Sequence, residues 1–146
     1  LSLTQLNWDA TDPVSYYRHI TASPFPGNQP HHVLLAPAKG DHQVAVVTNE
    51  VAARTTELQM PLMANYDRQR TPMGITPAMY PRAGSGIVLY DHGNPWPAIG
   101  NAPPDESSPD PHGLPRRQAW HQQQMVTFFR TGMITDVCGG DGCHPD

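Results

Sequence analysis

Two cysteines, eight histidines and one serine–aspartate–histidine set are the residues of this chain whose types could do chemistry. Cys138 and Cys143 lie in the segment CGGDGCHPD, residues 138–146, with His144 directly after the second cysteine. Three glycines fall between them, and glycine accepts the backbone angles that a small ring imposes. A local disulfide is therefore sterically open to this pair. A ring of so few residues removes little loop entropy, so it would shape a tail rather than hold a fold. A metal would need Cys138, Cys143 and His144, with Asp141 or Asp146, but zinc sites of this kind bring a second ligand pair from far away. The chain has no further cysteine to supply one. Redox chemistry favours C-x-x-C, which this spacing is not. The disulfide is the preferred reading.

The remaining histidines offer a second metal possibility. His31 and His32 open an expected strand and His42 closes the turn after it, roughly 15 Å away at strand rise. His121 falls on the apolar face of an expected helix, where a hydrogen-bonded packing role is the simpler reading. The histidines left for a shared ion are His92, His112 and His144, all in expected loops. No spacing ties them together, so no cofactor is expected.

Ser85, Asp91 and His92 are the right types for a nucleophilic triad. Yet AGSG is not the G-x-S-x-G elbow. Ser85 and His92 also stand at opposite ends of one expected strand, roughly 20 Å apart. They read better as turn residues bounding it. The carboxylates are scattered, so no glycosidase pair is visible, and neither glycine-rich stretch carries a phosphate-loop or dinucleotide pattern. A second group suits recognition rather than catalysis: Tyr16, Tyr17, Tyr80, Tyr90 and Trp96, with Met60, Met63, Met73 and Met79, gather in or near loops. Aromatics and methionine are favoured in interface cores. Filling a small core beneath long loops is the equally simple alternative.

The elements that must position these residues are short. At 146 residues the chain is the size of one domain, taken here as 1–146. Its 17 prolines, more than twice the usual share of ~5%, break helix interiors and central strands. LSLTQLNW is ambiguous between strand and helix end. Asp12-Pro13 reads as a cap followed by a first-turn proline, opening a short helix through Tyr16, Tyr17 and Ile20. Residues 33–36 and 44–47 read as a β-hairpin around APAKGDH. Its second strand is apolar on both faces, so helices should cover both. Asn49-Glu50 should cap a helix with Val51, Thr55, Leu58 and Leu62 on one face, stopped by Pro61. SGIVLYD should be a third strand centred on Val88. Residues 100–115 should form a solvated proline-rich loop, in a connection long enough to be functional or disordered. The last helix, in RRQAWHQQQMVTFFRTG, should carry His121, Met125, Phe128 and Phe129 on one face and end at Gly132. MITDV adds a short strand before the cysteine-loop tail, 138–146. The expected fold is α+β: a small, mostly antiparallel sheet with two or three helices and long proline-rich loops.

A net charge of −4 gives no basic surplus for phosphates, which argues against nucleic acid as a partner. No apolar run approaches the 18 residues of a membrane span. The start at Leu1 rather than Met is expected to reflect a removed signal peptide, a trimmed anchor or a cleaved tag. Low lysine, with Lys39 alone, and the close cysteine pair fit an exported protein, and the expectation is an extracytoplasmic one, whether periplasmic, at the cell surface or secreted. The small sheet, long loops and disulfide tail resemble the architecture of extracytoplasmic subunits of bacterial surface assemblies, such as pilin-like proteins. That resemblance implies a non-enzymatic structural or binding module of a pilus-like or secretion assembly, with a protein partner. A histidine-based metal-binding protein and a small hydrolase around Ser85 and His92 are the alternatives.

Overall fold

The computed structural model describes residues 2–56, 74–98 and 102–139. Among these residues, three α-helices and two tiny sheets stand among long loops. Helix α1 spans Ser2–Asp9, α2 spans Val46–Thr55 and α3 spans Ala119–Thr131. Strand β1 is Leu34–Leu35, β2 is Arg82–Ala83, β3 is Gly86–Ile87 and β4 is Met133–Ile134. β1 and β3 pair in parallel, with Leu34 opposite Gly86 and Leu35 opposite Ile87. β2 and β4 pair antiparallel, with Arg82 opposite Ile134.

The parallel pair runs further than its strand labels. Gly86 N–H donates to Val33 O, Val88 N–H to Leu35 O and Tyr90 N–H to Pro37 O, each at 2.9 Å. Lys39 N–H returns to Tyr90 O at 2.8 Å. The side chains of this ladder alternate between two cores, as the two-residue period requires. Ile87 and Leu89 join Val46, Ala53 and Ile75 on the α2 side. Val88 and Tyr90 join Phe128 and Ile134 on the α3 side. Ile87, Val88, Leu89 and Tyr90 are each at most 1% exposed. At ~1.5–3 kcal/mol for each large apolar side chain buried, this short strand anchors both cores.

The expected hairpin does not form. Residues 33–36 do run extended, but their partner is the Gly86–Tyr90 run, and it lies parallel. Val46 and Val47 open α2, and Val44 precedes it. The β-branched run Val44–Val47 has strand propensity, yet tertiary burial overrides it. Val46, Glu50 and Ala53, at helical spacing, are all buried, whereas Val44 and Val47 are 43% and 49% exposed. A strand buried on both faces exists, but it is the segment around Val88. The expected mostly antiparallel sheet is thus corrected to one parallel and one antiparallel pair. The cap of α2 also lies earlier than Asn49, at Ala45. Leu58, Pro61 and Leu62 lie outside the described residues.

Other elements follow the local chemistry. Of LSLTQLNW, the residues from Ser2 on are helical. Asp12 caps a 3-10 helix, Pro13–His19, by accepting from Val14 N–H at 2.9 Å. Gly132 takes φ 69°, the left-handed end of α3, and its N–H returns to Phe128 O at 2.8 Å. The face α3 buries is His121, Gln124 and Phe128. Phe129 is 81% exposed, not part of the buried face expected for it. Gln124 is buried because it serves β4: its Nε2 donates to Met133 O at 3.3 Å and its Oε1 accepts from Thr135 N–H at 2.9 Å.

Candidate active site

The β1 run leads through Ala38 and Lys39 into a tight turn, Gly40-Asp41. Gly40 has φ 71°, and a Cβ there would sit 2.7 Å from Asn94 Cβ. Only glycine lets the turn pass this close. The turn places the Asp41 carboxylate just beyond the end of the parallel strand. Oδ1 accepts the backbone N–H of Gln43 at 2.8 Å and of Val44 at 2.9 Å. These bonds fix the carboxylate in front of α2.

His112 reaches it from the proline-rich loop. Its Nδ1 lies 2.9 Å from Asp41 Oδ2 and 3.2 Å from Oδ1. The Asp41 side chain is 9% exposed and that of His112 is 30% exposed. An ionised carboxylate only accepts, so Nδ1 carries the proton. Nε2 is then the basic nitrogen. A second carboxylate holds the two loops together. Asp110 accepts the backbone N–H of His112 at 3.0 Å and of His42 at 3.2 Å, and Gln43 Nε2 at 2.7 Å. The Gln43 bond first, then the His112 N–H, holds its carboxyl below the usual range. Asn94, 4% exposed, ties down the loop further back, with Nδ2 donating to Pro109 O at 2.8 Å and Ser108 Oγ at 3.1 Å. The loop expected to be solvated therefore is so only in part. Asp105–Ser107 are exposed, while Pro111 and Pro115 are buried.

Asp41 and His112 line a cleft of about 270 Å³ whose other walls include Ala36, Asn49, Arg116 and His121. Among the described residues that line it there is no serine, threonine or cysteine. His121 is 5% exposed, and its Nδ1 is buried without a hydrogen-bond partner. Desolvation pushes its pKa down, so the ring is neutral near pH 7 and can donate or accept but brings no charge. Behind it, Tyr90 stacks on Trp120 at 4.8 Å and meets His121 edge-on at 4.7 Å.

The residues singled out from sequence are dispersed. Ser85 Oγ accepts Val33 N–H at 3.0 Å, a bond that pins the start of the parallel ladder. Asp91 pairs with Lys39 Nζ at 2.8 Å, and its Oδ1 accepts Gly93 N–H at 2.8 Å. His92 stacks with Trp120 at 6.0 Å, and both its ring nitrogens are buried without a partner. Burial lowers its pKa, with Asp91 opposing. Tyr90 is fully buried, Tyr80 packs against the α3-side core, and Trp96 packs against the α2-side core beneath Lys39. Tyr17 is half-buried. Tyr16 is 44% exposed, its hydroxyl donating to Ala10 O at 2.6 Å. Cys138 is disulfide-bonded. Cys143, His144, Met60, Met63 and Met73 lie outside the described residues. Of the candidate ion set, His112 is engaged by Asp41 and His92 by Trp120. Among the described residues, no group of three His, Cys, Asp or Glu could hold a metal ion. No protein-family model, curated protein or solved structure matches the chain.

Asp41 and its pairing with His112 were missed from sequence. The unusual length of the loop holding His112 was the one pointer. The acid could be recognised only with strands 33–39 and 86–90 already set in parallel.

Proposed function

We propose that this chain carries the acid–base pair of a hydrolase acting on an acyl bond, with His112 as the base and Asp41 as its orienting carboxylate. The observation that carries this reading is the Asp41–His112 contact at 2.9 Å on the wall of a cleft. Nε2 takes a proton from an attacking water and returns it to the leaving group as the acyl bond breaks, while Asp41 fixes the tautomer and stabilises the imidazolium. Asp41 follows directly on the β1 run, at the carboxyl end of the parallel pair and so in the position where α/β sheets gather their ligands, and His112 comes from the proline-rich loop beyond the paired strand. The chain order, acid before base, is the one α/β-hydrolases use, an analogy of topology. Among the described residues no hydroxyl or thiol side chain lines the cleft, so in this reading water is the nucleophile. A disulfide at Cys138 supports an extracytoplasmic setting.

The test is hydrolysis of a panel of p-nitrophenyl esters by the native protein. Asp41→Asn and His112→Gln should each lower kcat by about 10³–10⁴-fold. Ser85→Ala should leave the rate unchanged. Full activity in His112→Gln would sink the proposal.

A second reading keeps the chain as a non-enzymatic binding module, such as a subunit of a bacterial surface assembly. It draws on α1, which buries none of its residues and leaves Leu3, Leu6 and Trp8 at 79%, 67% and 63% exposed. Such a surface suits a protein partner. Loss of self-association or partner binding in Trp8→Ser, with the esterase panel silent, would favour it.

A further inference from the structure

The parallel ladder has a side without a partner. Along the β1 run the odd residues bond to the Gly86–Tyr90 run: Val33, Leu35 and Pro37 accept through their carbonyls and Lys39 donates. The two-residue period turns the N–H and C=O groups of Leu34 and Ala36 the other way. Among the described residues no hydrogen bond reaches these groups and no strand lies beside them. A groove of about 300 Å³ borders this edge. Leu34 and Ala36 line one wall, with Leu35 between them left out, and Met125, Phe128 and Phe129 of α3 line the other. Met125 and Phe129, four positions apart on the helix, are 38% and 81% exposed.

We propose that the free edge of β1 and the facing surface of α3 bind an extended segment of a partner protein. The segment adds a strand beside Leu34–Ala36 and lays apolar side chains, at alternate positions, against Met125 and Phe129. The open edge is what selects this occupant. Covering it removes main-chain donors and acceptors from water, so the occupant must supply acceptors and donors in return. It must also present apolar groups to the α3 wall. A helix offers only the second, because its own N–H and C=O groups are bonded internally. An extended chain offers both, since its main chain bonds along the edge while every second side chain faces the helix. A second copy pairing β1 with β1 does not fit. Its Leu34 and Ala36 already pack on their own α3-side core and leave no side chain for the groove. Binding at this edge requires nothing of Asp41 or His112.

The probe is a short capped peptide of alternating threonine and valine with a lysine at each end, added to isotopically labelled full chain and followed by NMR at neutral pH. Two control peptides carry N-methyl groups, one on its valines and the other on its threonines. The parent peptide should shift the amides of Leu34 and Ala36 together with the Met125 methyl. At saturation it should slow amide exchange at Leu34 and Ala36 by about ten-fold or more. Only one edge of the added strand bonds to β1. One methylated peptide should therefore bind like the parent and the other should fail. With the valines against α3, the one that fails reports whether the strand runs parallel or antiparallel. Phe129→Ala, at a site exposed enough to spare the fold, should weaken the parent peptide roughly five- to ten-fold. Equal binding of both methylated peptides would leave only an apolar surface and overturn the proposal. So would the absence of any shift, or Leu34 and Ala36 amides already protected in the free protein. Protection that persists on dilution would mean that the chain covers its own edge; protection lost on dilution would mean that a second copy does.

Discussion

His121 and His92 are the two residues whose burial most directly sets a pH response. Both have pKa values lowered from 6.5 by desolvation. The unfolded chain therefore binds protons that the folded chain refuses as the pH drops below about 6.5, so folding stability falls with acidification in that window. The stability is fully present above the unfolded value and declines toward the folded one. A urea midpoint measured from pH 7.5 to pH 5 should fall, and the fall should be shallower in His92→Asn. A flat profile in the unaltered protein would contradict the burial of these rings. Tyr90 shows the same effect in a phenol: burial, then the charge of Tyr80, pushes its pKa well above the usual range. Its hydroxyl is buried without a partner. Asp41 differs from all of these, because two N–H groups and an imidazole satisfy it.

At the scale of the element, the turn after β1 decides whether the dyad exists. Gly40 has both a positive φ and a neighbour at 2.7 Å from any added Cβ. Gly40→Ala should destabilise the fold by about 1–3 kcal/mol and separate Asp41 from His112, read as a lower Tm and a lost His112–Asp41 hydrogen bond in imidazole NMR. Wild-type stability in that variant would show that the turn yields easily. The proline-rich loop is the other half of the device. Asn94 and Asp110 together fix five backbone or side-chain groups around it, so its prolines stiffen a connection that is already tied down.

For the whole molecule, the parallel ladder is the axis. It carries both cores, and its strand ends carry the site. The N–H groups of Val88 and Tyr90 are bonded into it, whereas those of Leu34 and Ala36 point to the opposite edge of β1, where no described strand pairs with them. Hydrogen exchange should find Leu34 and Ala36 fast and Val88 and Tyr90 protected. Protection at Leu34 and Ala36 would mean that this edge is covered by another strand, as parallel sheets ordinarily are.

The sequence by itself determined what short-range chemistry can determine. Asp12-Pro13 opens a helical turn because one carboxylate and one fixed φ suffice. Gly132 ends α3 because it alone takes φ 69° without cost. The apolar segment around Val88 reads as a strand, and Ser85 and His92 are kept apart by that strand's length. Only the tertiary structure decided which segments pair. Val44–Val47 has the local propensity of a strand, and helix wins there through burial of Val46 against Ile87 and Leu89. That choice converts an expected hairpin into a parallel crossover. The crossover in turn brings Asp41 to His112, 71 positions further along the chain. No periodicity encodes such a separation, because the contact exists only once two cores have packed on opposite faces of one strand.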